Sequence, residues 1–278
     1  MNVLTLPDEL NLDQSRLINV YDYTSSKRIS KQQIILNQNV FSFLIEGTKE
    51  VVFDNSAVSI DASKFLIMKS GHCLMTEKLS DSSNYRSVVL FFSNEILLRF
   101  IRKMEWRKEE AEECKSVRAF EYDVFLKRFV DSLVDISKLS IEIKSKLLEI
   151  KFEELMLYLM GMYGTEFLYS LTVNSDDSSQ KFFQIIESSH LSKLSLKELS
   201  FLCNMSVSTF KREFEKHYSE SPIKWFQHKR LEFAHYLLHQ EQKSASEVYF
   251  EAGYESLSSF TQAYKSKYGV TPKQAQKK

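Results

Sequence analysis

Cysteine, glycine and proline are all scarce in this chain. Its three cysteines, Cys73, Cys114 and Cys203, are spread over 278 residues with no CxxC pair. That spacing argues against a disulfide framework or a cysteine zinc site and fits a reducing compartment. There are six glycines and three prolines, well below average usage. No glycine-rich phosphate loop of the GxGxxG or GxxxxGK[ST] form occurs, which removes most nucleotide-binding enzymes. Long apolar runs are missing as well: stretches such as Val88–Phe92 fall far short of the ~20 residues that span a bilayer. The N-terminus has no basic start followed by an apolar stretch and a small-residue cleavage site. The expectation is a cytoplasmic protein with no membrane partner.

The chain is 43% hydrophobic and 27% charged, in the range of ordinary globular proteins, and long enough for two cored domains. Its 37 basic and 37 acidic side chains cancel, but the cancellation hides a split. Residues 181–278 carry 15 Lys and Arg against 10 Asp and Glu, whereas residues 1–180 carry 22 against 27. Between them runs Asn174-Ser175-Asp176-Asp177-Ser178-Ser179, polar and without an apolar anchor, as in a linker. The expected organisation is an N-terminal domain over 1–173, a linker over 174–180 and a C-terminal domain over 181–278.

In the N-terminal part, residues from about 20 to 92 read as short strands broken by turns, among them Val40–Glu46, Lys64–Lys69 and Arg86–Phe92. From about 94 to 163 the period becomes helical, most clearly in Asp123–Ile136 and in Glu142–Tyr163, where Ile143, Leu147, Ile150, Leu155 and Leu159 recur at intervals of three to five residues. The fold class is therefore α+β: a small cupin-like barrel or sandwich followed by helices, then an all-α domain. A catalytic metal in such a barrel needs several His ligands, yet His72 alone precedes His190, so no metal, cofactor or catalytic residue is expected. His72 itself reads as a polar turn residue beside Gly71. Phe41, Phe43, Phe65, Phe91 and Phe92 are expected in the barrel interior, which small β domains usually fill with their own side chains. Enclosure of a small ligand is the alternative. The Glu142–Tyr163 helix either packs within its own domain or pairs with a second copy of the chain; both stay open.

The C-terminal part repeats itself. Ser195-Leu196-Lys197-Glu198 and Ser244-Ala245-Ser246-Glu247 both fit the S-x-x-E capping box. Each opens a short helix, Leu196–Cys203 or Ala245–Ala252, followed by a tight turn at Asn204-Met205 or Gly253-Tyr254-Glu255. Asn and Gly best tolerate the left-handed backbone such a turn requires. Ser206 and Ser256 then cap Val207–His217 and Leu257–Tyr268. Phe210 and Phe214 correspond to Phe260 and Tyr264, at an offset of 49 residues before the turn and 50 after it. These are two helix-turn-helix units. Between them, Pro222 at the first helical position starts a long helix to Gln240, which would hold the units at a fixed separation.

The stretch from Leu194 to Pro272 resembles the DNA-binding domain of the AraC/XylS family of bacterial transcription regulators. The residues that carry this are Leu196–Cys203, Asn204-Met205-Ser206, Phe210–Phe214, Ser221-Pro222, Arg230-Leu231, Ala234, Leu237-Leu238, Ala252-Gly253-Tyr254, Ser259-Phe260 and Tyr268-Gly269-Val270-Thr271-Pro272. The first turn has Asn204 where the family often has Gly. The upstream region is similar, less specifically, to the family's effector-binding and dimerisation domains. The resemblance implies a sequence-specific regulator of transcription. It also implies an activator, since that family mostly activates, with double-stranded DNA and RNA polymerase as partners and a small molecule or a protein as effector.

By position, Ser208, Thr209, Lys211 and Arg212 match the family's base-reading residues, and Ser258, Ser259, Thr261 and Gln262 match them in the second unit. Arg or Lys can bond guanine O6 and N7, Gln suits adenine, and Ser or Thr take more varied edges. Phosphate contacts are expected from Lys265, Lys267 and Lys229, and from the helix N-termini at Ser206 and Ser256. Arg230 is expected to brace the junction between the units by bonding helix-end carbonyls. Two other readings stay on the table. One is a cupin-like ligand-binding or enzymatic module with a helical protein-interaction domain, which apolar recognition faces would favour. The other is an architectural DNA protein, which the Thr, Ser and Gln of those faces disfavour.

Overall fold

Residues 3–13, 16–53, 57–104, 115–165, 167–168, 171 and 178–276 are described by the computed structural model. The chain divides into two units, Met1–Ser178 and Ser179–Lys278.

The first unit is built on two five-stranded sheets. In chain order its strands are β1 (Leu4–Leu6), β2 (Ile18–Ser25), β3 (Ile29–Leu36), β4 (Asn39–Glu46), β5 (Thr48–Val52), β6 (Ala57–Asp61), β7 (Lys64–Met68), β8 (Gly71–Lys78), β9 (Tyr85–Phe92) and β10 (Val117–Glu121). One sheet runs β1-β3-β8-β5-β6 and the other β10-β7-β4-β9-β2. All pairings are antiparallel except β1 with β3. Helices follow or interleave, among them α1 (Asn94–Lys103), α2 (Val124–Ser137) and α3 (Ile141–Tyr163). The Asp123 carboxylate caps α2, accepting from the Leu126 N–H at 2.8 Å.

Strand alternation decides what each face of the second sheet covers. On β4, Phe41 and Phe43 point one way and Val40, Ser42 and Leu44 the other. The register sets Phe41 beside Leu90 and Ile67, and Phe43 beside Val88 and Phe65. That face packs on the helices, together with Phe92, Phe129 and Phe152. The opposite face, with Val40, Leu44, Leu66 and Phe91, meets the first sheet. Of the five phenylalanines expected inside the sandwich, Phe91 alone is there. Phe41, Phe43, Phe65 and Phe92 lie under the helices, because β4 and its neighbours are buried on both faces and an all-apolar strand does not announce which face is which. His72 likewise lies within β8, opposite Ile35, rather than in a turn.

Two further features depart from the sequence reading. Strand β10 interrupts the stretch read as helical and pairs with β7, setting Phe120 opposite Phe65. Helix α3 buries Leu148, Phe152, Leu155, Met156 and Leu159, whereas Ile143 and Ile150, which share its apolar periodicity, are 55% and 62% exposed. The helix is apolar on two sides, so its periodicity fits either. Ile143, Ile150 and Leu157, seven residues apart, form an exposed row along about four turns.

Of the expected linker, residues 174–177 lie outside the described residues and residues 178–180 open a helix, α4 (Ser178–Ser189). The second unit then continues with α5 (Leu196–Leu202), α6 (Val207–Tyr218), α7 (Pro222–His239), α8 (Ala245–Glu251), α9 (Leu257–Tyr268) and α10 (Pro272–Ala275). Among the described residues, no helix is long and apolar enough to cross a membrane.

The long helix α7 serves two cores. Its first turns place Phe226 and Trp225 against Phe214, with ring centroids 5.9 and 5.5 Å away. Phe182 of α4 closes the same core against Phe210 at 5.6 Å. Its later turns contribute Leu231, Ala234, Leu237 and Leu238 to a second core with Val248, Phe260 and Tyr264. One helix thus ties both cores together, at 18 residues and ~1.5 Å each a rod of roughly 27 Å.

Candidate nucleic-acid interface

The two helix-turn-helix units are built alike from their caps upward. In the first, the Glu198 carboxylate accepts from the Ser195 N–H at 2.7 Å. In the second, Glu247 does the same for Ser244 at 2.8 Å. Asn204 and Gly253 occupy left-handed backbone at φ 54° and 79°, the conformation each turn was expected to require. Ser206 Oγ then accepts from the Thr209 N–H at 3.1 Å, and Ser256 Oγ from the Ser259 N–H at 3.2 Å. These contacts fix the entry angles of α6 and α9.

Each of these helices buries one side and exposes the other. Phe210 and Phe214 are fully buried, as are Phe260 and Tyr264. At about 100° per residue, the positions opposite them on α6 are Ser208 and Arg212, flanked by Thr209 and Lys211. On α9 they are Ser258 and Gln262, flanked by Ser259 and Thr261. Ser208, Lys211, Arg212, Ser258, Ser259 and Gln262 are exposed, and Thr209 and Thr261 are half-buried. The Arg212 side chain is 76% exposed. Some of the hydroxyls have local bonds: Thr209 Oγ1 lies 2.9 Å from Ser206 Oγ, and Thr261 Oγ1 donates to the Leu257 carbonyl at 2.7 Å. Lys216 and Ser266 share the same exposed faces one turn further on. The sequence reading passed over both, although the spacing from Arg212 and Gln262 places them there.

The expected phosphate contacts fare unevenly. Lys265 is exposed on α9. Lys267 is not free: its ammonium donates to the His228 carbonyl and to Glu232 Oε1, both at 3.0 Å, with the side chain 21% exposed. It points back to α7 because it sits on the flank of α9 that packs there. Lys229 lies 3.5 Å from Glu232 and over the Trp225 ring. Arg230 does lie at the junction, with its Cδ against Gly253. Its hydrogen bond, however, runs to the Phe226 carbonyl of its own helix at 3.4 Å rather than to a helix end. A second brace went unforeseen: Lys193, in the loop before α5, stands 4.0 Å over the Phe250 ring of α8.

Both exposed faces are polar and carry hydrogen-bond donors of the kinds that read base edges. Among the described residues, no group of His, Cys, Asp and Glu is placed to hold a metal.

Comparison with known proteins agrees in both units. Residues 199–278 match the helix-turn-helix domain family, and residues 39–171 match the ExsA N-terminal regulatory domain family. The chain is 31% identical over 162 residues to the thermoregulatory protein LcrF of Yersinia pestis, spanning 58% of this chain and 59% of that protein. It is 29% identical over 185 residues to the virulence regulon transcriptional activator VirF of Yersinia enterocolitica, spanning 66% and 68%. To the HTH-type transcriptional regulator ExsA of Pseudomonas aeruginosa it is 28% identical over 234 residues, spanning 82% of each.

Proposed function

This chain belongs to the AraC/XylS family of transcription regulators, and from that premise we propose that it activates transcription by binding specific duplex sequences through both helix-turn-helix units. The observation that carries this reading is the repeated geometry of α6 and α9. Two capped helices, mounted on one rod, turn matching polar faces outward and matching aromatic residues inward. Arg212, Lys211 and Ser208 read one major-groove segment, and Gln262, Thr261 and Ser258 the next, with Thr209 and Ser259 at their margins. Lys265 and the amide-rich starts of α6 and α9 at Ser206 and Ser256 hold phosphates. The first helix-turn-helix carries more of the discrimination, because its face holds the arginine.

The first unit supplies regulation, in response to a small molecule or a partner protein. The exposed row Ile143, Ile150 and Leu157 is the surface through which two copies pair. Within this reading the chain works in the cytoplasm, engages RNA polymerase as an activator must, and performs no catalysis. The polar character of both recognition faces disfavours a protein-interaction domain in their place.

The test begins with sites selected from a pool of random duplexes, measured against competitor DNA at fixed salt. Arg212→Ala should weaken binding by about 1–3 kcal/mol and relax preference at one base position. Equal loss on every sequence would make Arg212 a phosphate contact, and selection of no preferred sequence would refute the reading.

A further inference from the structure

Helix α7 fixes how far apart the two helix-turn-helix units stand, but a rod resists rolling about its own axis only through side-chain packing. Each unit seats on it through one apolar face, around Phe226 for the first and around Leu231, Ala234, Leu237 and Leu238 for the second. Neighbouring helices lie about 8–10 Å apart, so a roll of about 10° carries α9 by roughly 1.6 Å relative to α6. Hydrogen bonds to base edges tolerate a spread of about half an ångström. Reading two groove segments at once is therefore helped by a second tie, placed off the axis of α7.

Lys193 supplies such a tie. It belongs to the first helix-turn-helix, and its ammonium stands 4.0 Å over the ring of Phe250 in the second. The chain on both sides of it is pinned: the Ser192 N–H donates to the Ser189 carbonyl at 2.9 Å, and the Ser195 N–H to Glu198 at 2.7 Å. Phe250 plays no part in the core of its own unit. Val248, two residues earlier, is buried, whereas Phe250 is 64% exposed, as expected at about 100° per residue for the opposite side of α8. Gly253 leaves room for the lysine stem, since a Cβ there would stand 3.9 Å from Lys193 Cε and 3.2 Å from Arg230 Cδ. A ring turned outward, with a cation from the other unit laid on it, is a contact that the folding of neither unit requires.

We infer that Lys193 is a positioning residue: its cation–π contact with Phe250 holds the two recognition helices at the mutual angle that one half-site spacing demands. The inference rests on both units binding the same duplex. An exposed pair of this kind is worth about two- to fivefold in an equilibrium constant. A site one base pair longer turns its second segment by about a tenth of a turn, and the chain follows only by breaking the contact. Removal of either partner therefore shrinks the penalty for wrong spacing by about that factor. An isolated segment makes no demand on the angle.

The experiment measures the full chain on three duplexes made from a selected site: one correctly spaced, one lengthened by a base pair between the segments, and one carrying a single segment. Lys193→Met keeps the stem and removes the charge, and Phe250→Leu keeps the apolar bulk and removes the ring. Each should lower the ratio of affinities for the correct and lengthened duplexes about two- to fivefold. General destabilisation or a lost surface charge lowers all three affinities alike and leaves that ratio in place. Lys193→Arg should keep the ratio of the unaltered chain, and Lys193→Met combined with Phe250→Leu should lower it no further than either change alone. An unchanged ratio in both single variants, losses that add in the double variant, or a fall shared equally by the three duplexes would overturn the role of Lys193 and leave the DNA reading intact. An unaltered chain that binds the correct and lengthened duplexes equally would contradict the DNA reading itself, and the positioning role with it.

Discussion

Lys267 Nζ on the second recognition helix lies 3.0 Å from Glu232 Oε1 on the central helix. Lys229 approaches the other oxygen of the same carboxylate at 3.5 Å. Burial raises the pKa of the Glu232 carboxyl, but the two lysines outweigh it and hold it below its ordinary value. A basic residue that sequence position alone assigns to the phosphate backbone is thus part of the scaffold that orients the reading face.

This gives two lysines on one helix opposite roles. Lys267→Ala should lower the unfolding free energy by about 1 kcal/mol and the unfolding temperature by a few degrees. It should leave the salt dependence of DNA binding unchanged. Lys265→Ala should leave the unfolding temperature alone and reduce the slope of log affinity against log salt by about 1. Thermal melts and binding titrations at several salt concentrations, run on both variants, check the pair.

The turn of the second unit is crowded as well as left-handed. A Cβ on Gly253, at φ 79°, would stand 3.2 Å from Arg230 Cδ, whereas one on Gly269, at φ 74°, would meet nothing within 4 Å. Gly269→Ala should therefore cost the backbone strain alone, about 1–2 kcal/mol, and Gly253→Ala measurably more. Chemical denaturation of the two variants ranks them, and removal of the Arg230 side chain should bring them closer together.

His235 makes the second unit sensitive to acid. Its Nδ1 lies 2.6 Å from the Tyr264 hydroxyl, its ring stacks on Tyr268 at 4.5 Å, and His239 stands 4.2 Å away. Burial, then the charges of His239 and Lys267, push its pKa down. In the window below about 6.5 the unfolded chain takes up a proton there that the folded chain refuses. Stability is therefore full above that pH and falls as the pH drops through the window. Unfolding temperatures from pH 7.5 to 5.5 should decline, and His235→Gln should flatten the decline.

Much of this architecture was legible from local chemistry. Ser195 with Glu198, Ser244 with Glu247, and the left-handed Asn204 and Gly253 mark the repeated unit because each is set by its immediate neighbours. The departures are all long-range. Nothing local to Phe41 or Phe43 says whether helices or a second sheet will cover them, because their strand is buried on both faces. Strand β10 exists because β7 has an edge for it, and α3 has two apolar stripes of which α2 and the sheet cover one. Helix α4 did carry a local signal, Phe182 with Ile185 and Ile186, but the polar residues before it drew attention to a linker instead. At the interface the exposed positions followed from helical spacing, whereas the fate of Lys267 depended on Glu232, 35 residues away.

The central claim is that two rigidly joined helices read successive turns of one duplex, and the spacing of their half-sites tests it most directly. On a selected site, two protected major-groove segments should appear about 10 base pairs apart. Insertion of five base pairs between them should lower the affinity of the full chain at least about tenfold, and insertion should be harmless only outside both segments. A single protected segment, or binding indifferent to the inserted half-turn, would contradict the account.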